Sequence, residues 1–349
     1  MKTISVCLIV KNEERVLARC LECVDKFADE IIIVDTGSVD KTEEIAKKYT
    51  DKVYDFTWTG NFSDARNFSF SKATKDYIMW LDADDYISPN NITKILKLKA
   101  QPTDTHVFML KYVMKDKSGN TTLEFFRERI LKNRCGFTWH GFVHEVITPK
   151  GKIEYLDIEI EHRKINAGNP KRNLNLYNIA KKNGIKFSAR EQYYYARELY
   201  YNNYFYSSEK AFKKYLSLNN KYPPDITGAY LMLTKIYISR SSFERAKNIL
   251  FDYLKKYSPT HEIINTLAYL YDIEGDITNA IFYYSASLNC EIQQLGFINP
   301  DEFAFIPHVE LSRLYYKQGN FDLAKYHHNQ AKKIKSNHPS IIYNNQFFK

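Results

Sequence analysis

A chain of 349 residues exceeds what one hydrophobic core usually covers, so two domains are expected. Its 44% apolar and 26% charged content excludes a disordered or fibrous chain, and five cysteines, an odd number, argue against a disulfide framework and fit a reducing compartment. The formal charge of +9 is scattered as lysine along helical stretches without a nucleic-acid motif, and no apolar run approaches the length of a membrane span. The chain therefore reads as a cytoplasmic protein with no nucleic-acid partner and no transmembrane segment.

Residues 3–10 form a β-branched apolar run, followed by the turn Asn12-Glu13-Glu14 and a helical pattern over 16–27. Cys20 and Cys23 fall on one inward face of that helix, and with no second pair to complete a zinc site they read as buried thiols. A second apolar run, Ile31-Ile32-Ile33-Val34, delivers Asp35 to a strand end, and Thr36-Gly37-Ser38 turns the chain. Asp40 with Glu43 is a capping pattern for a helix reaching Lys48; a strand over 52–56 and a helix over 63–73 follow. Tyr77-Ile78-Met79-Trp80-Leu81 then empties into Asp82, Asp84 and Asp85. Strands apolar on both faces, alternating with helices, predict an α/β fold with a mostly parallel sheet, whose ligands bind beyond the carboxyl ends of the strands.

If the strand stays extended past Leu81, Asp82 and Asp84 project to one side and reach a common cation, while Asp85 points elsewhere. Hard ions such as Mn²⁺ or Mg²⁺ are often held by one or two carboxylates together with substrate phosphates. The competing reading is a solvated acidic turn before Pro89. Neither G-x-x-x-x-G-K-[ST] nor G-x-G-x-x-G is present, so any phosphate must be held by a cation and side chains rather than a glycine cradle.

Four blocks in order, residues 5–14, Asp35-Thr36-Gly37-Ser38-Val39-Asp40-Lys41-Thr42, Asp64-Ala65-Arg66-Asn67 and Leu81-Asp82-Ala83-Asp84-Asp85, resemble those of family-2 glycosyltransferases of the GT-A fold. The resemblance covers residues 1–165 and implies a Rossmann-like nucleotide-sugar-binding catalytic domain. It further implies a UDP-sugar donor, with Asp35 at the uridine, Asp82 and Asp84 at the ribose and the metal-bound diphosphate, and Arg66 near the nucleotide. Arg66 suits such a role as a forked donor that Asn67 supports.

Strands over 105–114 and 124–131 lead to Phe137-Thr138-Trp139-His140-Gly141-Phe142-Val143-His144-Glu145, and similar segments occur in the same glycosyltransferases. Inverting transfer needs a base for the acceptor proton, and Glu145 is the candidate with Asp85 its rival. His144 serves as a ligand of the metal or a contact of the diphosphate; alternatively, His144 and Glu145 only hold the loop. Trp139 offers a face for a sugar or acceptor, although an aromatic at such spacing is more often core.

The strand pattern ends near residues 161–172, with Asn166-Ala167-Gly168-Asn169-Pro170 as the linker to a helical second half over 166–349. Ala211, Ala246, Ala280 and Ala324 occupy equivalent places 35, 34 and 44 residues apart, and Tyr237, Tyr271 and Tyr315 each precede the Ala by nine. The first two spacings resemble tetratricopeptide repeats, and the third carries an insertion over 293–307, apolar enough to fold back over the groove or the catalytic face. His327 and His328 read as solvated, and residues 332–335 as a basic helix end.

A glycosyltransferase joined to such repeats is similar to peptide and protein glycosyltransferases of the sublancin S-glycosyltransferase type. That implies transfer of a hexose or N-acetylhexosamine to a Ser/Thr hydroxyl or Cys thiol of a peptide or protein. The alternatives are a glycan- or lipid-directed enzyme whose repeats make a homodimer, and a repeat scaffold without activity.

Overall fold

Strand β1 (Ile4–Val10) is buried over nearly its whole length, as a run apolar on both faces must be, and it stands at the centre of a sheet. The computed structural model describes residues 1–349 except 117, 118, 120, 166–168, 292–298 and 349. The chain divides into two units, Met1–Asn183 and Gly184–Lys349.

In the first unit β1 is followed by α1 (Leu17–Val24), β2 (Glu30–Asp35), α2 (Thr42–Ala46), β3 (Val53–Asp55), α3 (Phe62–Ser71) and β4 (Tyr77–Leu81). Then come β5 (Asp85–Tyr86), α4 (Pro89–Ala100), β6 (Val107–Lys115), β7 (Thr121–Lys132), β8 (Trp139–His140), β9 (Val146–Ile147), β10 (Ile153–His162) and α5 (Arg172–Lys182). The eight-stranded sheet has the order β3-β2-β1-β4-β7-β6-β10-β5. β1 pairs in parallel with both β2 and β4, so the strand order reverses around it, and a crevice opens beyond the carboxyl ends of these three strands. β7 is antiparallel to β4 and β6, which makes the sheet mostly rather than wholly parallel.

Ser88 caps helix α4 by accepting from Asn91 N–H, and Pro89 takes the first helical position, where its missing donor costs nothing. The expected linker at 166–170 falls largely outside the described residues, and α5 groups with the first unit, so the units part after Asn183 rather than at 165.

The second unit consists of α6 (Ala189–Tyr201), α7 (Phe205–Ser217), α8 (Pro223–Ile238), α9 (Phe243–Leu254), α10 (His261–Ile273), α11 (Ile277–Ser287), α12 (Phe305–Lys317), α13 (Phe321–Ile334) and α14 (Pro339–Asn344). Consecutive helices pair as hairpins, α6 with α7 through α12 with α13. Ala246, Ala280 and Ala324, all fully buried, sit on the second helix of their hairpins, where a small side chain lets the backbones approach. Of the insertion, Gly296, Phe297 and Ile298 lie outside the described residues, whereas Phe303 rests its ring 4.8 Å from that of His261 at the start of α10. His327 and His328 are not solvated. They are 8% and 2% exposed because α13 turns them inward: His327 meets His308 at 2.8 Å, and His328 stacks on Phe348.

At the end of the sheet opposite the crevice, Glu30 has its side chain buried and accepts from Lys52 Nζ at 2.5 Å, from Thr74 N–H at 2.8 Å and from the Ser5 hydroxyl. Burial alone would raise its carboxyl; these donors outweigh that and hold it at about 2. The group thus stabilises the fold fully above the unfolded value of 4.5, and the contribution is lost as pH falls toward 2. Glu30→Gln should cost about 1.5–3 kcal/mol in urea unfolding at pH 7, with the difference from wild type closing as pH is lowered through that window.

Candidate active site

β4 stops at Leu81 and the three acids close into a turn: Asp82 N–H donates to Asp85 Oδ2 at 3.0 Å, and Asp85 N–H donates to the Asp82 carbonyl at 3.0 Å. The extended geometry that would aim Asp82 and Asp84 at one cation therefore does not persist. Asp82 pairs with Arg66 and Asp84 with His162.

Arg66 is the buried cation of the site. It leaves α3 with 8% exposure, its guanidinium 5.1 Å from the Trp80 ring centre and 4.7 Å from that of Trp139. Its fork donates to Asp82 Oδ1 from Nη2 and to Glu145 Oε1 from Nε, each at 2.7 Å. Burial would raise the Asp82 carboxyl, but Arg66 and Arg129 prevail and hold it at about 2; Arg66 itself is raised despite burial. Asn67, one residue on, bonds the Trp139 backbone in both directions, donating to the carbonyl at 3.0 Å and accepting the N–H at 2.8 Å. Phe62 N–H reaches the Phe142 carbonyl, and the Ser63 hydroxyl the Gly141 carbonyl. These bonds fasten the 139–145 loop to α3 and carry Glu145 to Arg66. Trp139 is 2% exposed against Trp80 and Phe70, so its ring is core and offers no face to a sugar.

Asp85 is fully buried. It pairs with Arg129 Nη1 at 3.1 Å and accepts from the Tyr112 hydroxyl at 3.0 Å, while Arg129 lies over the Trp80 ring. A carboxylate closed in this way cannot reach an acceptor, so Asp85 is corrected from rival base to internal anchor of the acidic turn.

The expected metal set of Asp82, Asp84 and His144 is likewise revised. Among the described residues, Asp84, Asp85 and His162 form the cluster of potential metal ligands, their ligand atoms within 4.8 Å of one another. His162 Nδ1 lies 2.8 Å from the Tyr112 hydroxyl and 3.2 Å from Asp84 Oδ1. Burial would lower its pKa, yet hydrogen bonds to Asp84 and Asp85 raise it to about 10. Two carboxylates and an imidazole suit Mn²⁺ and tolerate Mg²⁺, so the donor set fits a divalent ion. His162 ends β10, far from the acids in sequence; only the antiparallel pairing of His162 with Asp85 on the short strand β5 brings it near.

A cavity of about 410 Å³ opens at this crevice, and Arg66, Asp82, Asp84, His144, Glu145 and His162 all line it. Lys11, Lys164 and Arg172 add positive charge to the same wall. Glu13 also lines it, its carboxyl raised to about 7 by burial and by Asp84 and Asp82. His144 sits in the loop with a left-handed backbone (φ +54°). Asp35 is not on the lining: one of its oxygens accepts Gly37 and Ser38 N–H at 2.8 and 2.7 Å, shaping the turn whose Thr36 reaches the cavity.

A mostly parallel sheet with acids and a forked arginine at its switch point is the arrangement of a GT-A domain. Residues 5–148 match the model of glycosyl transferase family 2, and the first unit carries a domain of that family. Over 147 residues the chain is 37% identical to the glycosyltransferase SunS of Bacillus phage SPbeta, a match covering 41% of this chain and 34% of that protein. It is 32% identical over 148 residues to a TPR repeat-containing protein of Synechococcus elongatus, covering 42% and 36%. The match thus spans about a third of the length of these curated relatives. Among solved structures, S. aureus TarS in complex with UDP-GlcNAc aligns over 97% of this chain and 93% of that one, at 12% identity and a TM-score of 0.39.

Asp85→Ala would leave the fully buried Arg129 guanidinium without its counter-ion, at a cost of about 3–5 kcal/mol. Urea unfolding should register that loss, whereas a solvent-facing base could be removed with no such effect.

Proposed function

We propose that the first unit is an inverting glycosyltransferase that moves a hexose or N-acetylhexosamine from a UDP-sugar to a hydroxyl or thiol of a peptide or protein, with the helical unit recognising that acceptor. The observation that carries the donor half is the cavity in which Arg66, Asp82, Asp84 and His162 converge beside Lys11, Lys164 and Arg172. Fixed positive charge there matches a diphosphate, and side chains rather than a glycine loop supply it.

Asp84 and His162, with Asp85 beside them, would hold a Mn²⁺ or Mg²⁺, and the ion when bound would offset the negative charge of the departing diphosphate. Asp35, off the cavity lining, is proposed to serve the uridine by shaping the turn that brings Thr36 to the cavity. Glu145 is the proposed base. It takes the proton of the acceptor O–H or S–H while the freed lone pair attacks the anomeric carbon from the face opposite the diphosphate, whose C–O bond breaks to release UDP. A thiol acceptor, already more acidic, would depend less on that base. In the structure Glu145 is held in place by its ion pair with Arg66.

The acceptor half is supported by the repeat hairpins, which stack into a surface larger than a small acceptor requires. No helix among the described residues is long and apolar enough to cross a membrane.

Incubation with Mn²⁺, UDP-sugars and a Ser/Thr/Cys peptide library, read by mass spectrometry, should show a hexose or N-acetylhexosamine mass gain on peptide. Asp84→Asn should abolish both this and slow donor hydrolysis. Glu145→Gln should preserve donor binding and lower transfer to a hydroxyl by about 10²–10⁴-fold. Normal transfer by Glu145→Gln would remove it as the base.

A further inference from the structure

The repeat unit holds a second cavity, of about 370 Å³, walled by α6, α8 and α10 and apart from the nucleotide-type crevice. One wall is a close approach of α6 and α8: a Cβ placed on Gly228 would lie 2.3 Å from the Tyr193 hydroxyl, so no larger residue fits without moving that ring. Two polar side chains on the lining are almost wholly buried and leave polar atoms unpaired. The carboxylate of Asp225, a residue 8% exposed, makes no hydrogen bond or ion pair among the described residues. His261, 3% exposed, has its Nε2 unbonded.

Asp225 lies in the first turn of α8, yet no N–H of that helix caps onto it. Arg197, on the neighbouring turn of α6, gives its guanidinium to the Tyr201 hydroxyl at 3.2 Å and to the faces of Tyr193, Tyr194 and Tyr201. The acid is therefore left without a counter-ion, and burial pushes its carboxyl up to about 6 although Arg190 and Arg197 pull the other way. Of the charged residues on the lining, three are acids (Asp225, Glu262, Glu291) and two are bases (Arg197, Lys235), an inversion of the balance of a chain that carries +9 overall. Phe303, packed on His261, adds an apolar surface beside them.

From this geometry we propose that the cavity seats a lysine or arginine side chain of the acceptor polypeptide: the cationic head bonds the Asp225 carboxylate, and the methylene stem lies along Phe303. The inference rests on the peptide-acceptor reading above and deepens it, making Asp225 the residue that selects acceptors carrying a base.

The test uses the full chain and short fluorescein-labelled Gly/Ser/Thr peptides containing one Lys, or Gln in its place, with binding read by anisotropy. Wild type should bind the Lys peptide about tenfold more tightly, as one charge-assisted hydrogen bond would give. Asp225→Asn should equalise the two peptides while melting at or above the wild-type temperature, since the acid it removes bonds nothing. Asp225→Glu, which keeps the charge, should retain the preference. Equal affinities in wild type, no binding of either peptide, or a Lys preference that survives Asp225→Asn would each overturn the proposal. Because the readout is binding, a Lys preference with no sugar transferred to either peptide would uphold the cavity and remove the acceptor reading alone.

Discussion

A guanidinium taken out of water must have every direction of its charge answered, and the first unit is arranged around that demand at Arg66. Two indole rings cover its faces, and the carboxylates of Asp82 and Glu145 take its fork. Those partners come from the end of β4, the element after α3, and from the loop after β8, far along the chain. An arginine is required because a lysine ammonium has no planar fork to bond two carboxylates while stacked between rings. The bonds of Ser63 and Asn67 to the 139–142 backbone make the same loop placement twice over.

Behind this pair lies a second buried set with a different role. Asp85, Arg129 and Tyr112 tie the acidic turn to β6 and β7, and through the Tyr112 hydroxyl they orient His162 toward Asp84. The turn is therefore held from inside by Asp85 and presents Asp82 and Asp84 outward in different directions. Charged groups that line the cavity are thus held in fixed ion pairs, Arg66 with Asp82 and Glu145 and His162 with Asp84, and a polyanionic substrate meets side chains already in position.

Strands with apolar residues on both faces and a carboxylate at the exit are readable as central strands, which is why β1, β2 and β4 and the crevice at their ends follow from periodicity alone. Asp82, Asp84, Arg66, His144 and Glu145 line the cavity, and Asp35 does not. What the local pattern hides is direction. Nothing in Asp82-Ala83-Asp84-Asp85 says that the strand stops at Leu81, so which acid faces inward depends on a turn closed by Asp85 and on Arg129 from a distant strand. His162 was hidden for the same reason, since its place is set by a two-residue strand pairing. A pattern signal did exist: the alternation of residues 153–162 carries His162 onto the same side as Ile158 and Ile160, at the end of a strand, where ligands of such sheets gather. His327 and His328 were misjudged because an imidazole in an amphipathic stretch looks alike whether it faces water or a neighbouring helix, whereas the core reading of Trp139 holds.

The central claim is that the Arg66 fork assembles the donor site. Its most direct test is calorimetric titration of UDP in the presence of Mn²⁺ into wild type and Arg66→Lys. The account predicts Mn²⁺-dependent binding in wild type and an affinity at least about tenfold weaker in the variant, from the loss of one charge-assisted bond. Equal affinity in the two proteins would contradict it.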